Sequence, residues 1–338
     1  MDVLIERASR QLVISDSVAA VAIGRNEGER LVRCLTTAKS KVECIVYVDS
    51  GSTDHSVEAA ERLGAVVIRL DDTEAFTAAK ARNAGFRRLK MLRPDIRFVQ
   101  FIDGDCELAD GWLDTAVEFM GRRNDVGVVC GRRRERYPSA SAYNLLCDIE
   151  WNTPIGEAIA CGGDSLVRVE AFELVDGFRP QLIAGEEPEL CLRLRENGWK
   201  IWRIDAEMTL HDAALKRFGQ WWARTVRGGY AAAEVSRLHW SSPYSIWKRE
   251  LLRAIFWGGT VPILILLLAL WQPLALVALL IYPLQICRIA VARGGLRSLQ
   301  AWSYAAFMTL AKFAEFQGIL TFYWRHLRGN SPKLIEYK

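Results

Sequence analysis

Residues 98–107 read FVQFIDGDCE. Apolar Phe98, Val99, Phe101 and Ile102 run straight into Asp103 and Asp105, set on either side of Gly104. A carboxylate at the end of a buried strand is costly unless it is paired or bound to a metal. In an extended segment residues i and i+2 point to the same face, and Gly104 lets the backbone turn between them. Two carboxylates converging at a strand's carboxyl end suit a hard divalent cation that also holds phosphate oxygens. An acidic turn that caps a strand fits the same residues, and spacing alone leaves both readings open.

Working outward, residues 18–23 form an apolar run ended by the turn Gly24-Arg25-Asn26-Glu27, after which Leu31, Cys34, Leu35 and Ala38 repeat at helical spacing. Residues 45–48 read as a strand that ends in Asp49-Ser50-Gly51-Ser52-Thr53-Asp54. Val57, Ala60 and Leu63 mark a helix that Gly64 stops, and residues 65–70 give a third strand. Residues 75–92 read as a helix containing Ala81-Arg82-Asn83, and the 98–102 strand follows. Strands alternating with helices predict βαβ units and a mainly parallel sheet with flanking helices. Ligands of such sheets bind at the strand carboxyl ends. Asp54 reads as a helix N-cap. Asp49 ends a strand directly, where an acid either forms a turn or accepts from a nucleobase or ribose. Asn26 and Glu27 fit a cap and first-turn role as well as a ligand role.

The 338-residue chain has a net charge of +4, so no global basic field argues for a nucleic-acid partner. Its eight cysteines (Cys34, Cys44, Cys106, Cys130, Cys147, Cys161, Cys191 and Cys287) form no CxxC pair and no zinc spacing. That pattern predicts a reducing compartment without a disulfide framework. Residues 1–10, MDVLIERASR, lack the apolar core of a secretory signal.

The order RNE after the first strand, VDSGSTD after the second, AKARNAG in the third helix and DGD after the fourth strand resembles the family 2 glycosyltransferases of GT-A fold. The resemblance covers roughly residues 18–210 and implies a Rossmann-like domain, a nucleotide-diphosphate-sugar donor, a divalent cation (Mg2+ or Mn2+) and an inverting transfer. By that resemblance Asp49 is the base-contacting acid, Glu27 with Asn26 lies near the nucleoside, and Arg82 falls in a donor-contacting basic segment. Asp103 and Asp105, with Gly104 between them, are the metal and diphosphate site. Cys161-Gly162-Gly163-Asp164 resembles a segment near acceptor and donor sugar, which makes Gly162, Gly163 and Asp164 acceptor-side residues.

Gly185-Glu186-Glu187-Pro188-Glu189-Leu190 opens a helix with Pro188 suited to its first position. Acids there favour any helix N-terminus, but the segment also resembles the family's ED motif, whose second residue is the catalytic base. The base then maps to Glu187, with glutamate in place of the usual aspartate, and Glu186 is its substitute. His211, after a strand at residues 200–204, is a structural hydrogen-bonder by default and a metal ligand by resemblance. Residues 218–230, FGQWWARTVRGGY, suit an interfacial helix with tryptophans at headgroup level. Gln220 is present but Arg224 is followed by Thr225, so the Arg-Trp pair of processive relatives is missing and non-processive transfer is expected.

No charged residue occurs between Arg253 and Arg288. A helix of that length would reach roughly 50 Å, against a bilayer core of about 30 Å. Gln272-Pro273 divides it into two spans, 251–271 and 274–292, with Lys248, Arg249 and Arg253 at one end and Arg288, Arg293 and Arg297 at the other. Positive-inside logic then gives a hairpin with both ends in the cytoplasm. Residues 299–323 carry Lys312 and Glu315 and are expected to lie on the inner surface as an amphipathic helix.

The expected organisation is thus an extension (1–17), a GT-A catalytic domain (18–245), a transmembrane hairpin (246–293) and an interfacial segment (294–338). The expected activity is metal-dependent sugar transfer to a lipid-linked or other glycan acceptor at the cytoplasmic membrane. The alternatives are a polyprenyl-phosphate sugar synthase, a sugar nucleotidyltransferase and a non-enzymatic membrane scaffold.

Overall fold

A computed structural model describes residues 17–71, 76–295 and 297–329. Most of the 1–17 extension, Ala75 at the expected start of the third helix, and residues 330–338 of the interfacial segment lie outside the described residues. The chain divides into two compact units, Met1–Ala140 with Cys147–Ala214, and Ser141–Leu146 with Leu215–Lys338.

The first unit is built on nine strands: β1 (Val18–Gly24), β2 (Ile45–Asp49), β3 (Val66–Arg69), β4 (Phe98–Asp103), β5 (Cys106–Leu108), β6 (Val126–Glu135), β7 (Gly156–Ala158), β8 (Ser165–Arg168) and β9 (Lys200–His211). Their order in the sheet is β3-β2-β1-β4-β8-β6-β9-β5, with β7 paired to β9. Crossover helices α1 (Glu29–Lys39), α2 (Ser56–Arg62) and α3 (Ala78–Leu92) join the first four strands. Those strands run parallel as expected.

Beyond β4 the sheet is mixed, not mainly parallel. β8 enters antiparallel between β4 and β6, and β5 and β7 pair antiparallel with β9. Only Gly104 and Asp105 separate β4 from β5, yet β8, β6 and β9 lie between the two in the sheet. β9 also runs on to His211 instead of ending near residue 204. Asp205 and Glu207 interrupt its apolar pattern, and two register shifts against β6 accommodate the change.

Alternation along β1 feeds two cores. Ala20 and Ala22 face Leu31, Cys34 and Leu35 of α1 with Trp112, while Ala19, Val21 and Ile23 face Phe86 and Leu89 of α3 with Phe172 and Phe178. α3 lies close to the sheet because Gly85 has no Cβ; one built there would stand 2.4 Å from Val21 Cγ1. Register then aligns the strand ends: Gly24 pairs with Asp49 and Ile23 with Asp103. At the other edge His211 pairs with both Cys106 and Glu135.

Three further helices follow, α4 (Trp112–Arg122), α5 (Ala142–Glu150) and α6 (Val169–Leu174), before α7 (Glu186–Glu196). Pro188 is the third residue of α7 and not its first; Gly185, at φ 80°, is the N-cap. The missing amide is still harmless in a first turn. Asp54 is not the N-cap of α2, a place taken by His55, but its Oδ1 accepts the Ser56 amide at 3.0 Å.

The second unit holds α8 (Phe218–Leu238), α9 (Lys248–Trp271), α10 (Pro273–Gly294) and α11 (Leu299–Leu327). α9 and α10 are long and apolar enough to cross a membrane. The boundary expected at 245 falls instead between Ala214 and Leu215, because α8 packs along α11 within this unit. The contact is backbone to backbone: a Cβ at Gly318 would lie 2.1 Å from Val226 O, and one at Gly229 equally close to Glu315 O. Trp221, expected at headgroup level, is buried in an aromatic cluster with Tyr143 and Phe307. α11 is one 29-residue helix whose small residues Ala301, Ala305, Ala311, Ala314 and Gly318 are buried against neighbouring helices.

Candidate active site

The strand ends β1 and β2 hold a shelf of loops that bond chiefly to each other. Asn26, at φ 56°, accepts the Thr53 amide through Oδ1 (2.7 Å) and donates its own amide to Ser52 Oγ (2.9 Å). The Glu27 and Gly28 amides reach Ser56 Oγ, and the Glu27 carboxylate pairs with Arg30 at 2.8 Å. Asp49 is buried. Its Oδ1 accepts from Tyr47 OH (3.0 Å) and its Oδ2 from the Gly51 and Ser52 amides (3.0 and 2.8 Å).

At the end of β4 the charges concentrate. Asp103 Oδ1 takes Arg82 Nη2 at 2.7 Å and Oδ2 takes Arg133 Nη2 at 3.3 Å. Burial pushes the Asp103 carboxyl up, but the Arg82 and Arg133 guanidinia outweigh it and hold the group below the usual range. Gly104 donates its amide to Ile23 O at 2.8 Å, and a Cβ there would meet the same carbonyl at 3.0 Å.

Arg82 differs from expectation: it is 2% exposed, and three carboxylates occupy its guanidinium. Besides Asp103 it pairs with Glu186 at 2.9 Å and Glu187 at 3.2 Å. It therefore ties the β4 end to the first turn of α7. Glu186 and Glu187 separate by exposure, their side chains being 5% and 17% accessible. Burial, then the neighbouring Glu186 charge, raise Glu187 to about 7 against the opposing pull of Arg82.

The expected acceptor-side segment lies against the same cluster. Asp164 is fully buried. It accepts the Asp103 amide (3.0 Å) and Thr209 Oγ1 (2.8 Å), and pairs with Arg133 at 2.8 Å. A Cβ on Gly163 would stand 2.5 Å from Arg82 Nη2 and 2.7 Å from Asp103 Oδ2, so a side chain here would displace the ends of both groups. Gly162 has open space around it, Arg133 Cζ being nearest at 4.0 Å.

Asp105 and His211 form the last group. His211 Nε2 lies 3.2 Å from Asp105 Oδ1, and the imidazole sits edge-on to the Trp151 ring at 4.7 Å. Ligand atoms of Asp105, Cys106 and His211 lie within 4.8 Å of one another. Burial, then the Asp164 charge, push the Cys106 thiol well above its usual pKa. Of these donors the carboxylate suits Mg2+ or Mn2+, and the buried His211 Nδ1 has no hydrogen-bond partner. The residues fit a divalent cation at Asp105 and His211, while Asp103 groups with Cys106 and Asp164 and is shared with two guanidinia.

Arg133, Glu135 and Thr209 were not foreseen as site residues. Register pairs Arg133 with Thr209 and Glu135 with His211, so the ends of β6 and β9 supply one wall.

Residues 21–173 match the model of the family described as Glycosyl transferase family 2. The chain is 25% identical over 203 residues to the succinoglycan biosynthesis protein ExoA of Rhizobium meliloti, covering 57% of this chain and 60% of that protein. A 53-residue stretch is 42% identical to an uncharacterized glycosyltransferase of Rickettsia felis, covering 16% of this chain and 19% of that one. Among solved structures, the mannosyltransferase PcManGT of Pyrobaculum calidifontis, in complex with GDP-Man and Mn2+, superimposes with a TM-score of 0.59 at 18% identity, covering 95% of this chain and 94% of that one. That likeness is one of fold, and the fold is the GT-A fold that the motifs led one to expect.

Proposed function

We propose, from the premise that residues 21–173 are a family 2 glycosyltransferase domain, that this chain transfers a sugar from a nucleotide-diphosphate donor to an acceptor hydroxyl, with inversion. The observation that carries the reading is the Arg82 bridge, which draws Asp103 at the end of β4 and the two α7 acids into one cluster. A base and a diphosphate-binding site must be neighbours for in-line displacement at an anomeric carbon. Glu187, the more accessible of the α7 pair and poised near 7, takes the proton of the attacking hydroxyl. Glu186 stays locked on Arg82 and sets the charge around it.

Asp103, Asp105 and His211 would hold the Mg2+ or Mn2+ ion. When bound, that ion supplies neutralisation of the charge growing on the departing diphosphate. Arg82 and Arg133, now paired with Asp103, are placed to share that role. The loop shelf of Asn26, Glu27 and Asp49 receives the nucleoside. The ExoA relative is a succinoglycan biosynthesis protein and PcManGT was solved with GDP-Man and Mn2+; the reading extends both kinds of chemistry to this chain. The two apolar helices anchor the chain in the cytoplasmic membrane with the domain on the inner face, which favours a lipid-linked glycan acceptor. The missing Arg-Trp pair after Gln220 favours one transfer per encounter.

The test is a panel of nucleotide sugars offered to the full chain in nanodiscs with Mn2+ or Mg2+. The expected product is a nucleoside diphosphate, lost in Asp105→Asn. Transfer should fall about 10²- to 10⁴-fold in Glu187→Gln. Inorganic diphosphate as product would make the chain a nucleotidyltransferase. Transfer to a polyprenyl monophosphate would name the acceptor a phosphate, and undiminished Glu187→Gln turnover would move the base elsewhere.

A further inference from the structure

Glu135 closes β6 with its side chain fully buried. Its Oε1 accepts the Tyr137 amide and its Oε2 the Ala213 amide, both at 3.0 Å. Those two bonds fix the carboxylate against the end of β9, where the parallel register sets Glu135 beside His211. Oε2 faces His211 Nδ1 at 3.9 Å, and that nitrogen is buried without a hydrogen-bond partner. The other ring nitrogen, Nε2, faces Asp105. The His211 backbone is held on both sides: its carbonyl accepts the Arg136 amide at 2.8 Å, and the next amide, that of Asp212, donates to Asp105 O at 3.0 Å.

A neutral imidazole carries one proton, on either nitrogen. With Nε2 directed at a carboxylate, the Nε2–H tautomer lets His211 donate to Asp105 and leaves Nδ1 as an unused lone pair. A histidine that ligates through Nε2 needs the opposite tautomer, with the proton on Nδ1 and an acceptor to receive it. The gap of 3.9 Å to Glu135 is longer than a hydrogen bond, so the contact forms only once the ring turns toward the carboxylate. We propose that Glu135 is a positioning residue that receives the His211 Nδ1–H and so turns the Nε2 lone pair toward a cation shared with Asp105. The inference rests on the reading of Asp105 and His211 as ligands of a divalent cation.

The experiment is a double-mutant cycle on the full chain, with Mn2+ affinity measured from the electron paramagnetic resonance of free Mn2+. Glu135→Gln should weaken Mn2+ binding about 10- to 100-fold, as loss of an outer partner of a metal-bound histidine does. His211→Ala should weaken it too, and Glu135→Gln should then add less than twofold. A Glu135→Gln affinity within twofold of the unaltered chain, while His211→Ala is impaired, overturns the role of Glu135 and spares the ligands. A full additional loss in the His211→Ala background also overturns it, since Glu135 then acts through the fold. If neither Asp105→Asn nor His211→Ala alters Mn2+ affinity, the ligand reading falls and takes this proposal with it. Because Glu135→Gln disturbs two backbone bonds, the unaltered chain provides a second readout. Selective 15N-histidine labelling with Mg2+ bound should place the His211 proton on Nδ1, and a proton on Nε2 would overturn the proposal.

Discussion

The two units answer the cost of burying charge in opposite ways. The sheet unit buries Asp49, Arg82, Asp105, Glu135, Asp164, Glu186 and Glu189 among its described residues. It then partners them: Arg82 meets three carboxylates, Asp164 meets Arg133, and Glu189 meets Arg179 and Arg193. In the helical unit the buried polar side chains among the described residues are Asn144, Ser236 and Thr309, none of them charged. Its large leucines, Leu264, Leu267, Leu268 and Leu270 among them, are exposed. Pairing lets the sheet unit bury charge, and the absence of charge among the described buried side chains fits helices long and apolar enough to cross a membrane. Glycine marks the contrast. Gly163 lets a loop approach a carboxylate, whereas Gly229 and Gly318 let two helix backbones approach each other.

The largest effect should come from unpairing the sheet unit. Asp164→Ala removes the acceptor of the Asp103 amide, of Thr209 Oγ1 and of the buried Arg133 guanidinium at once. Breaking a buried pair on one side costs about 3–5 kcal/mol. Hydrogen exchange of the β4 and β8 amides in the full chain should lose protection by that amount, while α8 and α11 amides keep theirs. A loss under about 1 kcal/mol would mean that the pairing is not what holds these charges.

The two kinds of glycine can be set against each other next. Gly163→Ala pushes a methyl onto the Arg82 and Asp103 side-chain ends. Those ends can shift, so the fold should survive while turnover falls about 10²-fold through misplacement of the cluster. Gly318→Ala sets a methyl 2.1 Å from the Val226 carbonyl, which only a helix displacement relieves. It should cost about 1–3 kcal/mol of α8 protection and leave nucleotide binding intact. If Gly163→Ala destabilised as much as Gly318→Ala, the distinction between a site glycine and a packing glycine would fail.

These particulars also show what a sequence reveals. The acidic strand ends were legible because the change from apolar to acidic happens within one residue, Val48 to Asp49 and Ile102 to Asp103. The first four strands and their crossovers followed from the same periodicity. Arg82 was legible as a site residue but not by its partners, since Asp103 lies 21 residues away and Glu186 lies 104 away. No local pattern encodes a pairing of that span. Arg133 and Glu135 sit in GRRRER, residues 131–136, which reads as a solvated basic run. Register shifts at Cys130/Arg132 and Arg132/Arg133 also break the alternation that would have put them on the His211 side. α8 looked interfacial because its aromatics and arginines are amphipathic, and that pattern serves equally to pack Trp221 against Phe307.

A smaller effect should appear with pH. As the proposed base, Glu187 would have to be ionised to accept a proton, and burial with the Glu186 charge raises it to about 7. Below that value the ionised fraction falls about tenfold per pH unit, so kcat/KM at pH 6 should be roughly a tenth of its plateau. The acid limb belongs to the free enzyme and should have unit slope. It should move downward in Glu186→Gln, which removes the like charge that helps raise Glu187. An acid limb unmoved by Glu186→Gln would separate the limb from this pair and weaken the view that the sheet unit uses paired charge to tune its base.

The least effect belongs to the helical unit, where a polar contact joins the two apolar helices. Tyr282 on α10 donates its hydroxyl to the Trp257 carbonyl of α9 at 2.7 Å, beside the π-helical turn at Phe256–Thr260. That turn leaves carbonyls out of the usual i→i−4 ladder, and the hydroxyl satisfies one of them. Tyr282→Phe keeps the ring and its tilted contact with Phe313 but deletes the donor. A net hydrogen bond contributes about 0.5–1.5 kcal/mol, so exchange at Trp257 and its neighbours should accelerate by about tenfold at most, with transfer unchanged. A loss several times larger would show that one polar group inside this unit counts for as much as the paired charges of the sheet. The helical unit would then rest on polar specificity, and its exclusion of charge would no longer explain its stability.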